Sequence, residues 1–140
     1  MTEAARLRNQ PTRLLSMAAM HADRRVTEAL ATADARKWHY AVLATLDEFG
    51  PVSQAELSDR THIYRSDIVA VLNELTERGM VERAPDPADK RRNVITMTER
   101  GRTQLTKLDA LLADVQNKVL APLSQAEREQ LTKLLTALLS

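Results

Sequence analysis

The chain has 140 residues, 44% of them hydrophobic and 28% charged, with a formal net charge of +1 at pH 7. These values are typical of one compact folded domain and exclude a disordered chain. Because cysteine is absent, disulfides, thiolate metal clusters and cysteine nucleophiles are excluded. The longest apolar runs, such as residues 68–72, are far shorter than the roughly 20 residues that span a bilayer, and the N-terminus lacks the pattern of a secretory signal. We therefore expect a cytoplasmic protein without a membrane partner.

Two helices are predicted before residue 50. Apolar residues recur every three or four positions from 11 to 33, which predicts one face of a long helix. A second helix is predicted over 36–49, because apolar residues again share one face. Gly50 and Pro51 follow it, and this pair is typical of a helix end.

The next segment has the pattern of two helices joined by a tight turn. Ser53 and Glu56 have the spacing of a capping box, in which each side chain accepts a backbone N–H at the start of a helix. That helix is predicted to end near Thr61. A further helix is predicted over 65–78, from an apolar stripe at positions 68, 71, 72 and 75, and Gly79 ends it. The pair predicts a helix-turn-helix.

The periodicity then changes to that of β-structure. Residues 80–84 and 94–98 are predicted strands, and the segment between them is rich in turn formers. This pattern predicts a hairpin whose tip carries three cations, Lys90, Arg91 and Arg92.

Two more helices are predicted after the hairpin. Gly101 marks the passage into the first of them, which extends over 102–120 until Pro122 breaks it. A second capping box, formed by Ser124 and Glu127, begins the last helix, which has a broad leucine face. The predicted fold class is therefore mostly α, a helix-turn-helix with a small β-hairpin wing.

Catalysis is not expected. The chain contains no nucleophile elbow, zinc-protease motif or phosphate-binding loop, and each of its three glycines lies at a predicted element boundary. His21, His39 and His62 fall on three different predicted elements and do not have the local spacing of a metal site. We predict a protein that is not an enzyme and needs no cofactor or metal; a regulatory metal site built across elements from a histidine and carboxylates is the alternative.

The predicted helix over 65–78 has an outward face suited to duplex DNA. Serine, asparagine and arginine hydrogen-bond base edges or phosphates, and small apolar side chains contact thymine methyls. The residues of this kind opposite the apolar stripe or at the helix start are Arg65, Ser66, Val69, Ala70 and Asn73. A helix with a merely solvated polar face fits this segment equally well, and the basic tip alone is better explained as a solvated turn. The combination of helix-turn-helix and basic hairpin is more specific than either part.

Four segments between Tyr40 and Gly101 point to one family. They are YAVL at 40–43, GPVSQAEL at 50–57, LxxRGMVER at 75–83 and DPADKRRNVITMTERG at 86–101. Together they resemble the multiple antibiotic resistance regulator (MarR) family of winged-helix transcription factors, and the flanking helices extend the resemblance to nearly the whole chain. The last segment is the most specific, because Asp89, Arg91, Thr98 and Gly101 match the family's wing pattern.

The resemblance implies a homodimer on double-stranded DNA. In that family the helix here at 65–78 enters the major groove, and the wing arginine, here Arg91 braced by Asp89, enters the minor groove. The operator would be an inverted repeat with half-sites about one helical turn apart. The candidate DNA-binding residues are Gln54, Tyr64, Arg65, Ser66, Val69, Ala70, Asn73, Lys90, Arg91 and Arg92.

Two departures from the family concern the reading helix. Many members carry Thr-Arg where this chain has Val69-Ala70, so two common polar contacts are absent. Tyr64 stands where a helix cap is often Asp or Ser. We expect it either to contact DNA or to pack under the turn.

The family's first helix and last two helices pair two subunits. This agrees with leucine stripes that are more apolar than one small winged domain needs, although packing within one chain is the alternative. The candidate dimerisation residues are Leu15, Leu112, Val115, Val119, Leu131, Leu134, Leu135 and Leu138. The predicted domains are 1–33 for dimerisation, 34–101 for DNA binding and 102–140 for dimerisation.

The resemblance also implies a repressor that a small aromatic or anionic ligand relieves, by binding between the dimerisation helices and the winged domain. The candidate ligand residues are Met17, Met20, His21, Trp38 and His39, and packing is the alternative for each. The rival function is a winged helix that binds protein instead of DNA, which the near-neutral net charge favours.

Overall fold

The computed structural model describes residues 2–140, and in this range the chain forms seven helices and three short strands. The helices are α1 (Ala5–Arg8), α2 (Pro11–Ala31), α3 (Lys37–Phe49), α4 (Gln54–Thr61), α5 (Arg65–Glu77), α6 (Glu99–Val119) and α7 (Gln125–Leu139). The strands are β1 (Val52–Ser53), β2 (Val81–Pro85) and β3 (Asn93–Met97). The predicted fold class, mostly α with a small β wing after a helix-turn-helix, is confirmed.

The chain divides into two compact units. The first, which we call the sheet unit, is Leu30–Leu111. The second, the helical unit, contains the residues up to Ala29 together with Leu112–Ser140. The division falls inside α2 and inside α6.

The apolar stripe of α5 lies at the centre of the sheet unit. Ile68, Val71, Leu72 and Leu75 are each at most 1% exposed, as the helical periodicity predicts. The helix contacts α3, α4 and β2, and each of these elements contributes further buried apolar side chains. Full burial of one such side chain stabilises a fold by about 1.5–3 kcal/mol. This packing fixes α5 and leaves its opposite face in solvent.

A third strand, which the sequence did not predict, completes the sheet. β1 pairs antiparallel with β3, with Val52 opposite Ile95, and β3 pairs antiparallel with β2, so the strand order is β1-β3-β2. β1 has only two residues between Pro51 and α4, too few to show an alternating pattern. The pairing joins β3 to the chain directly before α4.

The two predicted capping boxes have different outcomes. At α7 both halves form: the Ser124 hydroxyl accepts the Glu127 N–H at 3.2 Å, and the Glu127 carboxylate accepts the Ser124 N–H at 2.9 Å. At α4 the Ser53 hydroxyl accepts the backbone N–H of Glu56 at 3.1 Å. The prediction for the Glu56 carboxylate is wrong, because it pairs with Arg60 one turn later in the same helix.

Helix α6 begins before the predicted residue 102, and Gly101 lies in its first turn instead of at its boundary. The Thr98 hydroxyl accepts the Gly101 N–H at 3.1 Å and donates to the Gly79 carbonyl at 2.6 Å. The Thr98 N–H donates to the Met80 carbonyl at 3.0 Å, and a Cβ on Gly101 would lie 2.2 Å from that carbonyl oxygen. Threonine therefore caps α6, and glycine leaves room for the chain that leads into β2.

The helical unit carries a large exposed apolar surface. Helix α7 has no buried residue. The large apolar side chains more than two fifths exposed are Leu14, Leu15, Met17 and Met20 on α2 and Leu134, Leu138 and Leu139 on α7. Among residues 2–140, no helix combines the length and hydropathy that crossing a bilayer requires.

Candidate nucleic-acid interface

The exposed face of α5 carries the side chains that the sequence predicts for DNA binding. Arg65, Ser66, Ala70 and Asn73 are exposed, and Val69 is 41% exposed. Arg65 and Ser66 occupy the first turn, where backbone N–H groups without helical partners favour an anion. The face thus combines a cation, two hydrogen-bonding side chains and two small apolar ones.

Tyr64 directly precedes α5 and projects into solvent. Its side chain makes no capping hydrogen bond and is 78% exposed. Ile63 takes the buried position in the turn, and its carbonyl accepts the Ser58 hydroxyl at 2.5 Å. Of the two roles predicted for Tyr64, packing under the turn is wrong, whereas contact with DNA stays a prediction.

The acidic residue Glu74 on α5 is bound by two side chains from the start of α3. Both carboxylate oxygens lie 2.6 Å from Arg36 Nη2, and Oε2 lies 2.6 Å from His39 Nε2. His39 Nδ1 accepts the backbone N–H of Arg36 at 3.0 Å, so in the neutral ring Nε2 carries the proton and donates it to Glu74.

The environment of this cluster lowers the pKa of both Glu74 and His39. The hydrogen bonds from Arg36 and then His39 hold the pKa of Glu74 below its ordinary value. Burial, which disfavours the imidazolium, lowers the pKa of His39 despite the neighbouring carboxylate. The negative charge on this part of α5 is therefore compensated by Arg36, which reduces its repulsion of an anion.

The wing loop holds Arg91 in a fixed direction. Arg91 Nε and Nη2 donate to the two Asp89 carboxylate oxygens at 3.0 and 3.2 Å, and the Arg91 backbone N–H donates to the same carboxylate at 3.1 Å. The Arg92 N–H donates to the Asp89 carbonyl, and the Asp86 N–H donates to the Arg92 carbonyl, which closes the loop. The pairing lowers the pKa of Asp89 and raises that of Arg91. The Arg91 side chain remains 90% exposed, so the brace orients the guanidinium without covering it.

A groove of about 260 Å³ lies between the start of α4, the start of α5 and the wing. Four predicted DNA-binding residues line it, namely Gln54, Arg65, Arg91 and Arg92. Among the residues that the structure describes, no acidic side chain lines the groove. Three guanidinium groups around one concavity favour a phosphate oxygen.

Lys90 is exposed at the tip of the wing beside this groove. Together, the groove, the wing tip and the exposed face of α5 form one surface, which we call the reading surface. It includes nine of the ten residues predicted to contact DNA, and the tenth, Tyr64, directly precedes α5. The contact of all ten with DNA stays a prediction.

Arg83 on β2 contacts the reading surface, which the sequence did not reveal. Its Nη2 donates to Asn73 Oδ1 at 3.0 Å. Contacts between β2 and α5 bring the two side chains together. A lone arginine in a predicted strand gave no signal of this contact, because neither periodicity nor spacing defines the packing of a strand on a helix.

The five candidate ligand residues belong to different units. Met17, Met20 and His21 are exposed residues of the helical unit. In the sheet unit, Trp38 is 37% exposed, and the Arg36 guanidinium lies 5.8 Å from its ring centroid. His39 is 2% exposed with both ring nitrogens engaged, so it has no free polar atom for a ligand.

The eight candidate dimerisation residues differ in exposure. Val115 is 7% exposed within the single chain, whereas Leu15, Leu134 and Leu138 are 43%, 57% and 68% exposed. The half-buried members are Leu112, Val119, Leu131 and Leu135.

Comparison with known proteins identifies a family and a curated relative. Residues 35–92 match a family model described as the MarR family. The HTH-type transcriptional repressor NicR of Pseudomonas putida is 29% identical over 96 residues, which cover 69% of this chain and 61% of that protein. The matched part therefore spans less than two thirds of that relative.

Two solved structures share the fold over nearly the full length of both chains. A probable transcriptional regulator from Pseudomonas aeruginosa has a TM-score of 0.84 and 30% identity, with 94% of this chain and 98% of that chain covered. A mutant MarR from E. coli, complexed with operator DNA, has a TM-score of 0.82 and 25% identity, with coverage of 92% and 93%.

Proposed function

We propose that this chain, which belongs to the MarR family of transcriptional regulators, is a repressor that binds an inverted-repeat DNA operator as a homodimer. The exposed face of α5 would lie in the major groove, and the wing would follow the adjacent minor groove. The relative from P. putida carries the name of a repressor, which supports repression. The E. coli relative is complexed with operator DNA, which supports operator binding.

The observation that carries the proposal is the composition of the reading surface. Arg65, Arg91 and Arg92 line one groove, and the α5 side chains that we propose to hydrogen-bond bases, Ser66 and Asn73, are exposed. Guanidinium contacts to phosphate supply affinity and register, whereas side chains in the major groove supply sequence preference. A net charge of +1 is compatible with this function because, among the described residues, three arginines and no acidic side chain line the groove.

The exposed apolar side chains of the helical unit support a homodimer. Leu134, Leu138 and Leu139 on α7 are 57%, 68% and 88% exposed. Each large apolar side chain that leaves water stabilises an assembly by roughly 1–3 kcal/mol before the entropy of association is subtracted. A second copy of the chain, related by a twofold axis, would cover this surface and present two reading surfaces to one duplex.

A gel-shift titration of the full chain against the DNA upstream of its own gene tests the proposal. A base-shuffled duplex of equal length is the matched control. We expect a preference of about a thousandfold or more for the upstream duplex, and affinity that falls steeply with added salt. Equal affinity for both duplexes contradicts operator recognition. DNA binding that salt does not weaken contradicts phosphate contacts by the reading surface, and no binding to either duplex favours the rival function of a protein-binding winged helix.

The double substitution of Ser66 and Asn73 by alanine separates base reading from phosphate binding. We expect it to reduce the preference for the upstream duplex more than the affinity for the shuffled one, because phosphate contacts are retained. An equal loss for both duplexes means that these two side chains do not contact bases.

We further propose that a small aromatic or anionic molecule relieves repression. Met17, Met20 and Trp38 offer exposed apolar surface, and His21 offers an exposed polar group. The protein would exchange between a conformation that binds DNA and one that does not. A ligand shifts this equilibrium away from DNA only if it binds the second conformation more tightly than the first.

The effector proposal is tested by repeating the gel shift with a panel of small aromatic carboxylates. Trp38 is the single tryptophan of the chain, so its fluorescence reports binding near it without a label. An effector should lower DNA affinity and change this fluorescence in the same concentration range. A panel that changes neither signal contradicts the proposal for this ligand class.

A further inference from the structure

Asn73 is an exposed residue of α5 whose side-chain amide already has one partner. Its Oδ1 accepts from Arg83 Nη2 at 3.0 Å. A guanidinium has only N–H donors, so the amide atom that faces it must be the oxygen. Among the residues that the structure describes, none accepts a hydrogen bond from Asn73 Nδ2, and this group is left to donate outside the protein.

Arg83 is held where it keeps this hydrogen bond. It lies at the centre of β2, which pairs with β3 along its whole length from Val81 to Pro85. Its Nε is buried without a hydrogen-bond partner in the described part of the chain. The hydrogen bond from Nη2 to Asn73 is exposed, but within the described residues it is the one that the guanidinium makes to a protein acceptor, and its release would leave the charged group without any. The pair is therefore expected to persist when DNA binds.

We infer that Arg83 is a positioning residue that makes Asn73 prefer guanine to adenine in the DNA major groove, an inference that rests on the proposed function. An asparagine that recognises adenine uses its oxygen to accept from the N6 amine and its Nδ2 to donate to N7. With the Arg83 guanidinium on Oδ1, the amine of adenine could use only the second lone pair of that oxygen and would approach it beside a positive charge, which disfavours this contact.

Guanine has the complementary major-groove edge. It offers two acceptors, N7 and O6, and no donor. The free Nδ2 of Asn73 can donate to either acceptor, and the positive charge of Arg83 behind the amide strengthens that donation. On the α5 face, Ser66 does not have this arrangement, because its hydroxyl both donates and accepts; Arg65 has donors alone but lies in the first turn, so the base position that depends on Asn73 can be told apart from it.

Selection of duplexes from a randomised library by the full chain tests this assignment. Asn73→Ala identifies the base position at issue, since preference should be lost there and kept elsewhere. The unaltered chain should enrich guanine at that position in each half-site. Arg83→Met should raise the ratio of adenine to guanine there roughly tenfold, in line with the discrimination of a paired base contact.

Arg92→Met is the matched control, because it removes the same charge from an exposed wing residue that does not contact Asn73. It should weaken binding to all duplexes and leave the ratio of adenine to guanine unchanged. Thermal melts of each variant establish that it folds.

The inference is overturned if the unaltered chain selects duplexes with adenine at the base position that depends on Asn73. This result does not require the Arg83→Met variant to fold. A folded Arg83→Met with an unchanged ratio also overturns it, as does Asn73→Ala with every preference intact. In these cases the enriched inverted repeats still support the proposed function. Enrichment of no sequence at all refutes the proposed function together with the inference.

Discussion

Replacement of Gly101 by alanine tests how the wing is joined to α6. In an ordinary helix this change would stabilise the protein by about 1 kcal/mol, because alanine has the higher helix propensity. Here the new Cβ would lie 2.2 Å from the Met80 carbonyl oxygen and 2.8 Å from Met97 Cγ. The neighbouring atom at 2.2 Å belongs to the backbone of the chain leading into β2, so it cannot move aside like the end of a flexible side chain. We assign the clash a cost of about 3 kcal/mol, at the upper end for an overpacked core.

The clash outweighs the propensity gain, and the expected net loss is about 2 kcal/mol of the free energy of unfolding. For a chain of this size this corresponds to a fall in Tm of roughly 8 °C. Thermal melts by circular dichroism at equal protein concentration measure it. The matched control is Thr103→Ala on the exposed side of the same helix, which should leave the Tm unchanged or slightly raised. A Tm of Gly101→Ala equal to or above that of the unaltered chain refutes the close approach of Met80 to α6.

Three further predictions concern DNA binding, assembly and pH. Arg91→Ala should leave the Tm unchanged, because the side chain is 90% exposed. It should reduce the slope of log affinity for DNA against log salt concentration by about 0.9 for each phosphate that Arg91 neutralises. Unchanged affinity at matched salt contradicts insertion of the wing. Deletion of residues 124–140 should give a monomer or an aggregate in sedimentation. A well-behaved dimer would contradict an interface formed by the last helix. The lowered pKa of His39 means that the unfolded chain binds this proton at higher pH than the folded chain, so stability should fall as the pH drops from about 7.5 to about 5.5. His39→Gln should flatten that slope in thermal melts, and equal slopes for both proteins exclude His39 as its source.

Local patterns were sufficient for most of the fold. The stripe at Ile68, Val71, Leu72 and Leu75 placed α5 correctly, because a 3.6-residue period directly encodes which face is buried. The Ser124 capping box also formed as predicted, since both partners lie within four residues of each other. These features depend on neighbours in sequence, so the sequence alone contains them.

Features that depend on packing between distant elements were not predictable in this way. The hydrogen bond between Arg83 and Asn73 exists because β2 packs on α5, and the contact of His39 with Glu74 joins residues 35 positions apart. The strand β1 was missed because two residues carry no period. The Glu56 carboxylate had two acceptable partners, and local spacing did not reveal that Arg60 would take it.

The most direct test of the central claim is hydroxyl-radical footprinting of the full chain on its selected duplex. Two copies of the reading surface on one operator predict two protected patches on the same face of the DNA, about one helical turn apart, with further protection in the minor groove beside each patch. Arg91→Ala should remove the minor-groove protection and keep the two protected patches that lie one helical turn apart. A single protected patch, or protection that is the same on a shuffled duplex, contradicts recognition of an inverted repeat by two identical subunits.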